Sequence, residues 1–110
     1  MTDLTAETIA PRLRAAFERR DAAKLRDLLD PDVRWGGEED TPDTCHNRAQ
    51  VLARFGWLAV TGTKASITNV EVDGERIVLT WEVTEPEERA GRHRQTFTVA
   101  RGRVVDIRPA

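Results

Sequence analysis

Tyrosine is absent from this chain, and cysteine and methionine occur once each. Without tyrosine there is no phenol to donate a hydrogen bond to a developing oxyanion. A single cysteine cannot close an internal disulfide, and with no C-x-x-C pair and no Cys/His ligand spacing the chain carries no signature of structural zinc. Long apolar runs are missing as well. No segment approaches the ~18 consecutive apolar residues of a membrane span, and MTDLTAETIAPRLRAAF at the N-terminus lacks the basic start and unbroken apolar stretch of a secretory leader. We therefore expect a cytoplasmic protein with no membrane partner. Positive charge is not in excess either: the formal net charge is -2. Nucleic acid is not expected as a partner, because binding it depends on a basic surface that displaces counterions.

The 110 residues suffice for a single domain, 1–110, that buries about two thirds of its unfolded surface around one core. Basic residues are almost all arginine and alanine is frequent, a composition expected of a GC-rich bacterial genome. Ile9, Leu13, Ala16 and Phe17 recur at helical spacing from a start near Thr5. Pro11 interrupts that pattern and suggests that the regular helix begins there. Asp21 is a plausible cap for a second helix with Leu25, Leu28 and Leu29 as its stripe, stopped by Asp30-Pro31-Asp32. Val33-Arg34-Trp35 then reads as a short strand.

GGEEDTPDTCH is too rich in glycine, proline and acids for regular structure. Asn47 follows as an N-cap, with Gln50 spaced to reach back to the cap's own N–H. Val51, Leu52, Phe55 and Leu58 form the stripe of this third helix, Trp57 stands to one side, and Gly62 is placed to end it. From Lys64 the period becomes two. One hairpin turns at Asp73-Gly74 and another at Arg101-Gly102-Arg103, predicting a four-strand antiparallel meander.

The order of these elements resembles the nuclear transport factor 2-like superfamily, in particular its SnoaL-like branch. The resemblance spans nearly the whole chain and is carried by FERRDAAKL at 17–25, LLDPDVRW at 28–35, NRAQV at 47–51 and RGRVVDIR at 101–108. It implies an α+β cone-shaped barrel in which three N-terminal helices pack on a curved antiparallel sheet around a conical pocket for a small apolar molecule. It further implies a homodimer through the outer face of the sheet, where Thr80, Glu82, Arg94, Thr96 and Thr98 stand without a charged barrier. Members include cofactor-independent isomerases, cyclases and dehydratases. Steroid isomerase relatives use a tyrosine that this chain does not have.

Parity assigns a pocket wall. Ile77, Leu79, Trp81 and Val83 share one face of their strand, and His93, Gln95, Phe97 and Val99 share a face of the next. With Trp35 and Phe55, the candidates for ligand contact are Trp81, His93, Gln95 and Phe97. Candidate acid/base groups are His46, Asp40 or Glu38 on the acidic loop, and Asp106, which should face away from Val105 and Ile107. Cys45-His46 does not read as a catalytic pair, since adjacent side chains on an extended chain diverge. No cofactor or metal is expected. Two functions follow: acid/base chemistry on a small apolar carbonyl compound, or a non-catalytic ligand-binding or protein-interaction module.

Overall fold

Thr5 opens the first helix by accepting the Thr8 N–H on its Oγ1 at 3.3 Å. The computed structural model describes residues 4–60, 64–85, 87 and 90–110. Helix α1 (Ala6–Glu18) therefore begins five residues before Pro11, which sits in its second turn. Pro11 is on the exposed side, so the carbonyl it leaves unpaired can turn to water. Ile9, Ala10, Leu13 and Ala16 form the buried side.

The end of α1 is a Schellman closure that the sequence did not announce. Asp21 N–H reaches the Ala16 carbonyl at 2.9 Å and Arg20 N–H the Phe17 carbonyl at 3.3 Å. Arg20 accordingly holds a left-handed φ of 52°, where glycine is usual. Asp21 then accepts the Lys24 N–H at 3.1 Å and starts α2 (Ala22–Leu28).

Strand β1 (Leu29–Trp35) is longer than expected, because the Asp30-Pro31-Asp32 stop lies inside it. Leu29 pairs with Val104 and Arg34 with Asp106, so the intervening residues arch out of the ladder between these points. A proline is tolerated there because β1 is an edge strand and the arch asks no N–H of it.

Asn47 caps α3 (Arg48–Val60), its Oδ1 accepting the Gln50 N–H at 2.9 Å. Gln50 reaches back one residue further than expected, to the His46 N–H at 2.7 Å rather than to the cap's own. Asn47→Ala should destabilise by about 1 kcal/mol, while His46→Ala, at an exposed side chain, should be near neutral. Chemical denaturation of both variants checks this, and equal costs would sink the capping account. Of the expected stripe, Val51 and Phe55 are buried and Leu52 is partly so. The side chains of Trp57 and Leu58, and the expected stop at Gly62, lie outside the described residues.

Strands β2 (Lys64–Asp73), β3 (Arg76–Glu85), β4 (Gly91–Ala100) and β5 (Arg103–Pro109) form the expected antiparallel meander. The sheet as a whole is mixed rather than purely antiparallel, since β1 adds to β5 in parallel, and its order is β1-β5-β4-β3-β2. It is curved and does not close. At the first hairpin only Gly74 takes a positive φ, 59°, with Asp73 still in its strand. Arg101 and Gly102 both do so at the second.

A bulge in β5 corrects one face assignment. Thr98 pairs with Asp106 but Val99 with Val104, so Val105 is the extra residue and Val104, not Val105, joins Ile107 in the core. On β3 and β4 the parity holds, with Ile77, Leu79, Val83, Phe97 and Val99 all buried. The outer face carries charge as well as threonine: Glu82 meets Arg92 at 3.6 Å and Glu71 meets Arg94 at 3.8 Å.

Candidate functional site

Along β4 the inward-facing positions run from an exposed His93, through a partly buried Gln95, to a Phe97 with no exposure at all. Two residues advance a strand by roughly 6.6 Å, so these three side chains sample a wall from its open end to its base. The space in front of them is a cavity of about 690 Å³. Trp35, Phe55, Trp81, His93, Gln95 and Phe97 all line it.

Phe17 links this wall to the helices, and nothing in its helical spacing marked it as more than core. Its ring lies edge-on to Phe55 at 5.5 Å and to Phe97 at 5.8 Å, and stacks on Trp81 at 6.4 Å with 17° between planes. Such offset and edge contacts suit the quadrupoles of the rings and hold Trp81 upright against the helix end. The residues that follow, Glu18 and Arg20, also line the cavity. Their position comes from the Schellman closure, which has no glycine to betray it in the sequence.

The three acid/base candidates stand elsewhere. Asp40 is bound by Arg34, whose Nε and Nη2 donate to its Oδ1 at 3.1 and 2.9 Å, while Nη2 also donates to the Gly37 carbonyl at 2.6 Å. Asp106 pairs in register with that same Arg34 and with Thr98, opposite to buried Ile107, and accepts the Arg108 Nε–H at 2.9 Å. His46 is exposed at the entry to α3. None of the three borders the cavity, and neither does Glu38.

The acidic loop is strapped to the outside of the domain. Trp35 and Cys45 exchange backbone hydrogen bonds, each at 2.9 Å. Cys45 is thereby buried while His46 points to solvent, and the two side chains do not meet. Arg54 donates to the Asp43 carbonyl and lies 5.2 Å from the centre of the Trp35 ring. This guanidinium holds the loop and braces the indole that lines the cavity. Gly36 is required where the loop leaves β1, since a Cβ there would stand 2.9 Å from both Cγ2 and Oγ1 of Thr44. Thr44 cannot easily yield, being buried and accepting the Thr41 N–H at 2.9 Å. Gly36→Ala should therefore cost about 1–3 kcal/mol. A melt unchanged by that substitution would show the loop to be more yielding than the geometry implies.

The cavity's polar complement is small. Gln95 is the neutral polar side chain of the wall, and its Oε1 is sealed from solvent with no hydrogen-bond partner. His93 sits above it. Among the described residues no three His, Cys, Asp or Glu side chains gather as a metal site. No helix among them is long and apolar enough to cross a membrane. The site can thus enclose an apolar body, hydrogen-bond it midway up the wall, and place an imidazole at its outer end.

The SnoaL-like domain family model matches residues 10–107 of this chain. Solved structures share its fold. One is a protein from Sinorhizobium meliloti assigned provisionally as a polyketide cyclase, 17% identical, with 93% of each chain covered and a TM-score of 0.76. An NTF2-like protein of unknown function from Mesorhizobium loti is 20% identical over 99% of this chain and 94% of that one, with a TM-score of 0.75. Another, from Burkholderia pseudomallei, is 25% identical over 91% and 85%, with a TM-score of 0.66. No curated protein matches the chain significantly by sequence.

Proposed function

We propose a function from one premise: this chain belongs to the SnoaL-like domain family. It binds a small, mainly apolar molecule in the cavity bounded by Trp35, Phe55, Trp81 and Phe97. The single observation that carries this reading is the wall of β4, which passes from imidazole to carboxamide to a buried phenyl ring along a cavity of about 690 Å³. The recess is open at its His93 end and leaves apolar ring surface that an apolar occupant would cover. Sites for small molecules have this volume and this balance of many apolar contacts and few polar ones.

Acid/base chemistry on a carbonyl compound, of the isomerase, cyclase or dehydratase kind, is the catalytic form of the same reading. His93 is then the group placed to exchange a proton, because it is the cavity's histidine. His46, Asp40 and Asp106 could take part only by a movement that frees them from their present surroundings, and for Asp40 that means breaking its contacts with Arg34.

Binding is tested by following the indole N–H resonances of Trp35 and Trp81 while naphthalene, β-naphthol or cyclohexanone is added. Shifts at both indoles that saturate at sub-millimolar concentration are expected, on the order of the affinity that a mainly apolar contact supplies. Unchanged indole resonances with all three probes would remove the proposal.

A further inference from the structure

Packing leaves the buried Gln95 oxygen of the cavity unexplained. Its neighbours supply the reason for its isolation. Across the sheet Gln95 stands between Leu79 on β3 and Pro109 on β5, and the next residue inward on its own strand face is Phe97. None of these three side chains has a hydrogen-bond donor. On these three sides the sheet therefore meets the carboxamide with groups that exclude water and cannot replace it, and His93, the next residue outward on that face, makes no hydrogen bond to Oε1.

A buried acceptor left without a donor is a standing cost, and native structures rarely keep one without a use for it. Among the described residues the other side-chain atom in that condition, Arg34 Nη1, belongs to a guanidinium whose Nε and Nη2 are already engaged by Asp40 and Gly37 on the outer face. Gln95 differs, because its side chain lines the cavity. Its terminal torsion is soft, so the oxygen can turn toward an occupant without backbone movement.

We propose that Gln95 is the specificity-determining residue of the cavity and that it selects ligands presenting a hydroxyl or N–H donor on an otherwise apolar body. This rests on the cavity-binding reading and narrows its ligand class. A ligand with the donor completes the Gln95 acceptor. An equally apolar ligand without it leaves the acceptor unpaired, and one that offers only an acceptor gains nothing from Oε1.

Three probes of one skeleton separate the cases: naphthalene, β-naphthol and the methyl ether of β-naphthol, titrated by NMR into the full chain. We expect β-naphthol to bind about tenfold tighter than naphthalene, with the methyl ether close to naphthalene. In Gln95→Leu the advantage of β-naphthol should vanish while naphthalene binds at least as well. The melting temperature of that variant should be equal or higher, since the substitution removes an unpaired acceptor. Gln95→Met serves as a second variant, and the wild-type comparison stands without either. Equal binding of all three probes, a methyl ether as tight as β-naphthol, or an advantage that survives both substitutions would each overturn the inference while leaving the cavity as a binding site. If no probe binds, the cavity reading fails and this inference fails with it.

Discussion

Phe97→Ala should lower the free energy of unfolding by about 3–5 kcal/mol, a large part of the stability of a domain of this size. Phe97 has no solvent exposure, sits on a central strand, and meets the Phe17 ring at 5.8 Å. Removing its ring deletes buried apolar area and also deepens the cavity at its base, where its cross-strand neighbours Ile77 and Ile107 are fully buried and cannot readily collapse. Urea titration followed by circular dichroism reads the effect. A loss below roughly 1 kcal/mol would mean that the ring already borders empty space on most of its surface and contributes little packing. That result would favour a larger binding volume and weaken the account of the core.

Trp81→Ala should show the reverse balance, with a modest effect on folding and a large one on binding. Trp81 is only partly buried, packed against the core rather than inside it, and stacks on Phe17 at the cavity. Its truncation should cost about 1–2 kcal/mol of stability, set by the lost stack and its partial burial. Affinity for β-naphthol should fall on the order of tenfold or more, because an aromatic wall contributes contact area to the ligand at little entropic cost. Calorimetric titration reads the affinity and urea denaturation the stability, each beside the wild type. Unchanged affinity would place the ligand elsewhere, and a variant that does not fold would assign Trp81 to the core.

These two predictions separate what burial and parity made legible from what they did not. Phe97 and Trp81 share an inward face because side chains alternate along a strand, so their neighbourhood is readable from the sequence. The same rule failed at Val105, where one extra residue in β5 moved Val104 into the core. Bulges leave no reliable mark in a sequence, since they are decided by how two strands fit rather than by either alone. Phe17 was legible as core and not as the link between wall and helices. Its meeting with Phe55, Trp81 and Phe97 depends on three elements arriving at one place.

The acidic loop shows the limit more sharply. Its composition allowed a flap over the cavity or a solvated turn. Arg34 decides the matter by holding Asp40 and Gly37 on the outer face, and Arg54 by holding Asp43. Arg34 belongs to strand β1 and Arg54 to helix α3, so the loop is held from two elements on either side of it, a meeting that its own composition does not specify.

Local chemistry in this sequence determined the elements themselves: the caps at Thr5, Asp21 and Asn47, the helical stripes, the strand alternation, and the order of elements that carries the family resemblance. Those depend on residues within a few positions of one another, where propensity and hydrogen bonding act directly. Tertiary structure alone decided which side of the sheet each polar group would serve. Asp106 is turned outward beside Arg34, His46 is left in solvent, and Gln95 is set between a leucine and a proline with its Oε1 unbonded. The physical reason is that burial and hydrogen-bond pairing are properties of a place, and a place here is made by strands and helices far apart in the chain.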